Sequence, residues 1–223
     1  TEINHAKEAL QSIENQTVTP DELIIIVDGP VKHNLLKEVF FFKKHSQIDT
    51  KIIMYPINKG VGFARDTGIR KAKNDYIALM DSDDISHPKR LEKQLPVIAN
   101  GYDVVGAWIA EYDDNLKVLN GIRRVPTNNA AIRKFSRFRS PVNNVTAIIR
   151  KNAYLEVGGY KRLRALEDYD LYARMILSGF KFYNMEEILV DVRAGVDQSS
   201  RRGSRILRTE IFVLFHLYKV GFF

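Results

Sequence analysis

Four consecutive residues, Asp81-Ser82-Asp83-Asp84, carry the strongest chemical signal in the sequence. They directly follow an apolar segment, 76–80, that is typical of a buried strand. Ligands of open α/β sheets bind beyond the carboxyl ends of the strands. Three crowded carboxylates repel one another unless a cation relieves them, and Mg²⁺ or Mn²⁺ prefers such oxygen ligands. The segment therefore predicts a metal–diphosphate site, and the alternative is a solvated Asp-rich turn that caps the next helix.

A second segment, 58–66, has the glycines and the cation of an anion-binding turn. Gly60 and Gly62 allow close backbone approach, and the N-terminus of the helix that follows favours negative charge. Arg65 lies one turn inside this helix, from where it can reach a phosphate or a carboxylate near a ribose. No G-K-[ST] follows, so the segment is not a Walker loop. A glycine-rich turn of purely structural role would have the same pattern.

A third acidic segment, Glu167-Asp168-Tyr169-Asp170-Leu171, begins a predicted helix. Acidic residues favour the first turn of any helix because of its dipole, and this structural explanation is sufficient for the spacing alone. The functional interpretation is that one carboxylate takes a proton from a substrate hydroxyl.

The elements that must position these residues alternate in type through the first half of the chain. Periodicity predicts helices at 3–13, 34–44, 61–73 and 89–100 and strands at 23–27, 51–55 and 76–80. The second half is less regular, with strands predicted at 102–109, 145–150, 180–183 and 188–193 and helices at 128–135 and 167–177. This alternation favours an α/β, doubly wound sheet. Such a sheet needs a strand before the first helix, so we expect either a longer natural N-terminus, which we favour, or a strand supplied by a partner.

Composition restricts the class of protein but does not identify a partner. The 223 residues include 34 Lys and Arg against 27 Asp and Glu, a net charge of +7, which attracts phosphates of any kind. The absence of Cys excludes disulfides and thiolate metal sites and fits a reducing compartment. Neither a signal-peptide pattern nor a spanning apolar segment is visible. We therefore expect a cytoplasmic protein. The amphipathic helix predicted at 204–223 either packs on the domain or contacts a partner or the inner face of a membrane.

Taken together, four segments resemble the family 2 glycosyltransferases. Residues 23–30 resemble the second strand of that family, and 58–70 resemble its N-x-G-x-x-x-A-R-N-x-G-I segment. Residues 76–94 resemble its Y-I-x-x-x-D-x-D-D-x-x-x-P-x-R-L-x-x-Q segment, and 157–171 resemble its G-G-Y/F followed by E-D-x-x-L. Order and spacing agree over residues 20–200, which makes the match more specific than any single motif.

The resemblance implies a GT-A fold with a mostly parallel sheet, a nucleotide-sugar donor and inversion at the anomeric carbon. It divides the chain into a nucleotide-sugar-binding half, 1–110, an acceptor-binding and catalytic half, 111–203, and the helix 204–223. It implies Asp168 as the general base and Mn²⁺ or Mg²⁺ as the cofactor. The implied metal ligands are Asp83 and Asp84, and the implied substrate-binding residues are Asp28, Arg65, Asp81, Glu167, Arg201 and Arg202.

Departures from the family pattern refine the expected activity. Val27 precedes Asp28, so only one of the family's usual two carboxylates remains there. Asp66 replaces an Asn, and no His lies between Arg193 and Gln198. Gln198–Arg202 lacks the Trp of the processive enzymes, so we expect transfer of a single sugar to a saccharide or lipid-linked saccharide acceptor. The alternatives are a sugar nucleotidyltransferase, whose N-terminal G-x-G-x-R loop is not visible, and a non-catalytic module that binds sugar nucleotides. We expect no nucleic-acid partner, because the sequence lacks the interleaving of basic and aromatic residues that is typical of single-strand-binding proteins.

Overall fold

The computed structural model describes residues 2–163 and 166–194. Arg201, Arg202, the segment 198–203 and the helix predicted at 204–223 lie outside the described residues.

The first half alternates helix and strand, as the periodicity predicts. Its elements are α1 (Ile3–Glu14), β1 (Glu22–Asp28), α2 (His33–His45), β2 (Asp49–Tyr55), α3 (Val61–Lys71) and β3 (Tyr76–Ala78). Strands β1 and β2 pair in parallel, from Glu22 opposite Asp49 to Asp28 opposite Tyr55. Both strands therefore end at the same edge, where Asp28 lies.

The rest of the described chain builds a six-stranded sheet with β3. Its elements are β4 (Ile85–Ser86), α4 (Arg90–Ala99), β5 (Val104–Tyr112), β6 (Leu119–Arg123), α5 (Asn129–Phe135), a 3₁₀ turn (Asn144–Thr146), β7 (Ile148–Arg150), α6 (Lys151–Glu156), α7 (Glu167–Leu177) and β8 (Phe182–Arg193). The strand order is β3-β7-β5-β8-β4, and β6 pairs with β5. Residue 110, where we placed the boundary between the halves, lies inside β5, so the second half shares its sheet with β3 and β4 of the first.

The α/β fold class is confirmed, but the strands do not form one mostly parallel sheet. Strands β1 and β2 form a two-stranded parallel sheet, and the other six form a mixed sheet. In the described part of the chain β1–β2 and β5–β8 are parallel, and the other four strand pairs are antiparallel. Strand β7 lies between β3 and β5 and runs against both. Ile148 and Ile149 of β7 are buried on opposite faces, but burial carries no information on the direction of the neighbouring strand.

The two strands predicted at 180–183 and 188–193 are one strand, β8. Its register against β5 shifts where Ala107 pairs with Met185 and Trp108 with Ile188. The two exposed glutamates between those positions, Glu186 and Glu187, are accommodated as a bulge. Their polarity interrupts the apolar pattern without ending the strand.

Helices cover both faces of the sheet. Adjacent residues of a strand point to opposite faces. Val104 and Ile149 accordingly pack in a cluster with residues of α6 and α7, whereas Val105 and Ile148 pack with α4. The sheet is thus a rigid middle layer, and the acidic turn after β3 and the N-terminus of α7 project from it.

Candidate active site

The acidic turn after β3, residues 81–84, is held by hydrogen bonds to the end of β8. Asp84 is buried, and its Oδ1 accepts a hydrogen bond from the backbone N–H of Arg193 at 3.0 Å. The Arg193 guanidinium donates to the backbone oxygens of Asp83 and Asp114 and forms an ion pair with Glu8 of α1. Burial, with added repulsion from Asp81 and Asp83, raises the pKa of Asp84 to about 7. In the metal-free protein the Asp84 carboxyl is therefore harder to ionise than a solvated one.

This donor set fits a divalent cation that shares its shell with a substrate. Within residues 2–163 and 166–194, no three His, Cys, Asp or Glu side chains converge on one point as a complete metal cage. Asp83 is half-buried, and no described donor hydrogen-bonds the second carboxylate oxygen of Asp84. Mg²⁺ and Mn²⁺ commonly use one or two carboxylates and fill the other positions with water and phosphate oxygens. Asp83 and Asp84 would hold such an ion.

The glycine-rich segment is closed by Asp28. The Asp28 carboxylate accepts from the backbone N–H groups of Lys59, at 2.9 and 3.1 Å, and Gly60, at 2.8 Å. It therefore satisfies donors at the start of α3, which would otherwise lack intrahelical partners. Gly29 must be glycine because its φ is +98° and a Cβ would lie 2.8 Å from the Asn58 backbone nitrogen. Asp28 thus fixes the loop, and its predicted contact with the nucleotide remains a prediction.

Arg65 joins the two acidic segments that the sequence singled out. Its Nη2 donates to Asp81 Oδ1 at 2.7 Å, and its Nη1 donates to Glu167 Oε1 at 2.9 Å. Burial alone would lower the pKa of Arg65, but Asp81 and Glu167 outweigh it and raise that pKa. Burial, assisted by Asp168, raises the pKa of Glu167. Gly62 permits this approach, since a Cβ there would lie 3.3 Å from Glu167 Cγ.

The three carboxylates of α7 have different surroundings. Glu167 is buried against Arg65, and Asp170 is held by the Arg174 guanidinium at 2.6 and 2.9 Å. Asp168 is half-buried, and its one hydrogen bond among the described residues comes from Ser140 Oγ at 3.4 Å. Asp168 therefore has the fewest protein contacts of the three carboxylates, and its role as the base remains a prediction.

Asn144 is a site residue that the sequence did not single out. Its Oδ1 accepts from Tyr172 OH at 2.6 Å and Tyr160 OH at 3.0 Å, whereas its Nδ2 is buried without a partner in the described part of the chain. Burial raises the pKa of both tyrosines, with Asp168 contributing, so both stay neutral donors. Residues 140–146 are mostly small or polar and precede β7, a pattern that is equally typical of a capped turn. Nothing in it indicated that two distant tyrosines meet there.

Comparison with known proteins identifies the family. The model described as "Glycosyl transferase family 2" matches residues 2–164. The chain is 33% identical over 218 residues to the UDP-Gal:alpha-D-GlcNAc-diphosphoundecaprenol beta-1,3-galactosyltransferase of Escherichia coli, covering 96% of this chain and 78% of that protein. This chain belongs to glycosyltransferase family 2.

Solved structures of similar fold agree with this membership. The chain matches S. aureus TarS 1-349 with a TM-score of 0.68 at 18% identity, covering 85% of this chain and 56% of that one. It matches mannosyltransferase PcManGT from Pyrobaculum calidifontis, solved with GDP-Man and Mn²⁺, with a TM-score of 0.67 at 15% identity. This match covers 96% of this chain and 67% of that one. These likenesses establish the GT-A fold. The chain spans just over half of the TarS chain.

The family's R-L-x-x-Q segment has a structural explanation in this glycosyltransferase. Arg90 is 1% exposed and donates to Leu79 O at 2.9 Å and to Gln94 Oε1 at 3.0 Å. Gln94 Nε2 in turn donates to the carbonyls of Val105 and Thr146. Burial lowers the pKa of Arg90 to about 10, which still leaves it charged at neutral pH. The pair fixes the end of β3, and with it the acidic turn, to β5.

The family's G-G-Y segment is explained in the same way. Tyr154 OH donates to Asp66 Oδ1 at 2.6 Å and accepts from the Tyr160 backbone N–H at 2.8 Å. A Cβ on Gly159 would lie 2.7 Å from both the Asp66 and the Tyr154 oxygens, and its φ is +72°. Asp66, which departs from the family's Asn, also binds the Arg70 guanidinium. This network holds Tyr160 against Asn144 beside the site.

Proposed function

We propose that this family 2 enzyme transfers one sugar from a nucleoside-diphosphate sugar, a UDP-sugar, to a hydroxyl of a saccharide or lipid-linked saccharide, with inversion. Such a step belongs to polysaccharide or glycolipid biosynthesis. The observation that carries the proposal is the Arg65 bridge, because it ties the acidic turn at Asp81 to Glu167, the neighbour of Asp168. A diphosphate on the turn and a base on α7 would then face one reaction centre.

The names of similar proteins support the finer points. The E. coli relative is named for UDP-Gal and for an acceptor linked to diphosphoundecaprenol. The P. calidifontis mannosyltransferase was solved with Mn²⁺. We extend a nucleotide-sugar donor, a lipid-linked acceptor and a divalent cation to this chain on that basis. Among the described residues no helix is long and apolar enough to cross a membrane. We propose that the enzyme works in the cytoplasm, with any membrane contact peripheral.

The reaction is a single in-line displacement. Asp168 removes the proton of the acceptor hydroxyl as the hydroxyl oxygen attacks the anomeric carbon from the face opposite the diphosphate, whose bond to that carbon breaks. When bound, a divalent cation neutralises charge on the departing diphosphate. Arg65 keeps Asp81 and Glu167 fixed, so both substrates are held in alignment. Arg201 and Arg202, outside the described residues, are proposed to meet the diphosphate.

The proposal is tested with a panel of sugar nucleotides incubated with Mn²⁺ and without acceptor. A glycosyltransferase releases the free sugar and the nucleoside diphosphate slowly. A nucleotidyltransferase, when pyrophosphate is added, forms a nucleoside triphosphate and a sugar 1-phosphate, and a binding module does neither. Thermal stabilisation across the same panel identifies the preferred donor, because a ligand that binds the native state raises its stability. Pyrophosphate exchange, or no turnover of any donor, would contradict the proposal.

A further inference from the structure

The segment 133–139, which begins in the last turn of α5, is strongly basic. It has four exposed cations in seven residues, and none of them pairs with a carboxylate among the described residues: Arg133, Lys134, Arg137 and Arg139. The guanidinium of Arg133 donates to a backbone carbonyl, and that of Arg139 lies over the Phe135 ring. The four positive charges are therefore uncompensated locally, in a chain that already carries +7.

One side of this segment combines cations with an exposed aromatic ring. Phe138 is 78% exposed, more than any other large apolar side chain in the described part of the chain. The backbone turns helically here, with the Phe138 N–H donating to the Phe135 carbonyl at 3.0 Å. Spacings of three and four residues therefore place Lys134, Arg137 and Phe138 together, while Ile132 faces the core. Basic residues beside an exposed aromatic are typical of surfaces that lie on a membrane.

Two hydrogen bonds fix this surface beside the reaction centre. Tyr169 OH of α7 donates to the Ser136 carbonyl at 2.7 Å, and Ser140 Oγ donates to Asp168 Oδ2 at 3.4 Å. The segment is therefore attached to the helix that carries the proposed base at its middle, through Ser136, and just beyond its end, through Ser140. Any surface that binds residues 133–139 is brought close to Asp168.

We infer that residues 133–139 form a docking surface for a bilayer that contains anionic lipid, with Phe138 at the interface and Lys134 and Arg137 against the headgroups. The inference rests on the proposed function, in which the acceptor is lipid-linked, because docking here would hold Asp168 where that acceptor is anchored. Charge complementarity and the single exposed ring favour this partner. A groove for single-stranded nucleic acid would offer several aromatic rings in succession.

The test is co-sedimentation of the full chain with vesicles. Wild type should bind vesicles of phosphatidylcholine and phosphatidylglycerol in equal parts and should not bind phosphatidylcholine alone. The Lys134→Glu/Arg137→Glu variant should bind at least about 30-fold more weakly, since each basic residue near an anionic surface contributes about 1 kcal/mol. The Phe138→Ser variant should also bind more weakly. The matched control, Lys43→Glu/Lys44→Glu, changes the net charge equally at two exposed lysines of α2 and should bind as wild type does.

Hydrolysis of the preferred sugar nucleotide, measured without vesicles, separates this inference from the proposed function. The variants at 134, 137 and 138 should hydrolyse the donor as wild type does. If the α2 control weakened vesicle binding as much as Lys134→Glu/Arg137→Glu does, net charge rather than this surface would bind the lipid. If the variants at 134, 137 and 138 bound vesicles as wild type does, the contact would lie elsewhere. Either result overturns the inference, as would binding of an oligonucleotide in preference to vesicles. If wild type hydrolyses no donor, the proposed function fails whatever the vesicles show.

Discussion

The Arg65 guanidinium donates to Asp81 Oδ1 at 2.7 Å, across sixteen residues of sequence and from helix α3 to the turn after β3. Its other Nη donates to Glu167 of α7, so one side chain spans the proposed donor and acceptor sides of the site. Only 17% of the Arg65 side chain is exposed, which limits solvent screening of both pairs. The planar fork of arginine suits two carboxylates at once, and the point charge of lysine does not.

Arg65→Lys should therefore lower kcat/KM by about 10²-fold, because misplacement of reacting groups by about 1 Å has costs of that order. The variant keeps the positive charge but cannot bridge Asp81 and Glu167. Steady-state transfer rates across donor concentrations measure the effect. Arg70→Lys is the matched control on the same helix, since Arg70 pairs with Asp66 at a more exposed position. Equal rates for Arg65→Lys and the control would contradict the bridging role.

Asp83→Ala should remove the metal-dependent part of donor binding. The loss of one carboxylate weakens binding of the cation that would bridge the protein and the diphosphate, whereas contacts that need no metal persist. Calorimetric titration with the nucleoside diphosphate, in Mn²⁺ and then in EDTA, separates the two parts. Asp21→Ala is the control, because Asp21 is an exposed carboxylate away from the acidic turn. Unchanged affinity of Asp83→Ala in Mn²⁺ would remove Asp83 from the metal site.

The carboxylates of the candidate site could be located from the sequence because its signals were local. Asp81, Asp83 and Asp84 follow an apolar strand, and Glu167 and Asp168 begin an amphipathic helix. The structure has both elements where the periodicity predicts them, although β3 is shorter. Local pattern thus determined which residues lie at the ends of elements.

Contacts between distant segments could not be predicted in the same way. Arg193 supports Asp84 from β8, and Tyr160 and Tyr172 meet at Asn144, yet no spacing rule links these positions. The direction of β7 is a further example, since a strand buried on both faces has the same pattern in parallel and antiparallel sheets. These features depend on how the layers pack, which a single sequence does not specify locally.

The stability of the metal-free protein should fall as the pH rises from about 4 to about 7, in part through Asp84. Unfolded Asp84 ionises near 3.8, whereas in the folded protein its pKa is about 7. Between these values the folded state binds the extra proton, so raising the pH favours unfolding; above 7 this contribution is constant. At about 1.36 kcal/mol per pKa unit, the whole effect is at most about 4 kcal/mol.

Denaturant unfolding in EDTA across this pH range measures the effect of Asp84. Asp84→Asn should reduce the slope of the unfolding free energy against pH. The difference from the wild-type slope separates the effect of Asp84 from that of Glu167, whose pKa is also raised by burial. Mn²⁺ should reduce the wild-type slope as well, because a bound cation favours the ionised carboxylate. Identical slopes for wild type and Asp84→Asn would show that this carboxyl ionises normally in the folded protein.

Asp168→Asn should lower the transfer rate by roughly 10²- to 10⁴-fold, the usual contribution of a general base. The amide keeps the shape of the side chain and can still accept from Ser140, but it cannot take the acceptor proton. Donor binding should persist, because the proposed diphosphate and metal contacts lie on other residues. The measurement is the transfer rate at saturating donor and acceptor, with donor affinity measured separately.

Glu167→Gln is the matched control for that variant. Its amide oxygen can still accept from Arg65, so the bridge to Asp81 should persist and the rate should fall far less. Residues 167 and 168 point about 100° apart on the helix, so one proton acceptor cannot be exchanged for the other. Near-normal turnover by Asp168→Asn, together with an inactive Glu167→Gln, would move the base to Glu167. In that case Arg65 would hold the base itself, and the raised pKa of Glu167 would be part of catalysis.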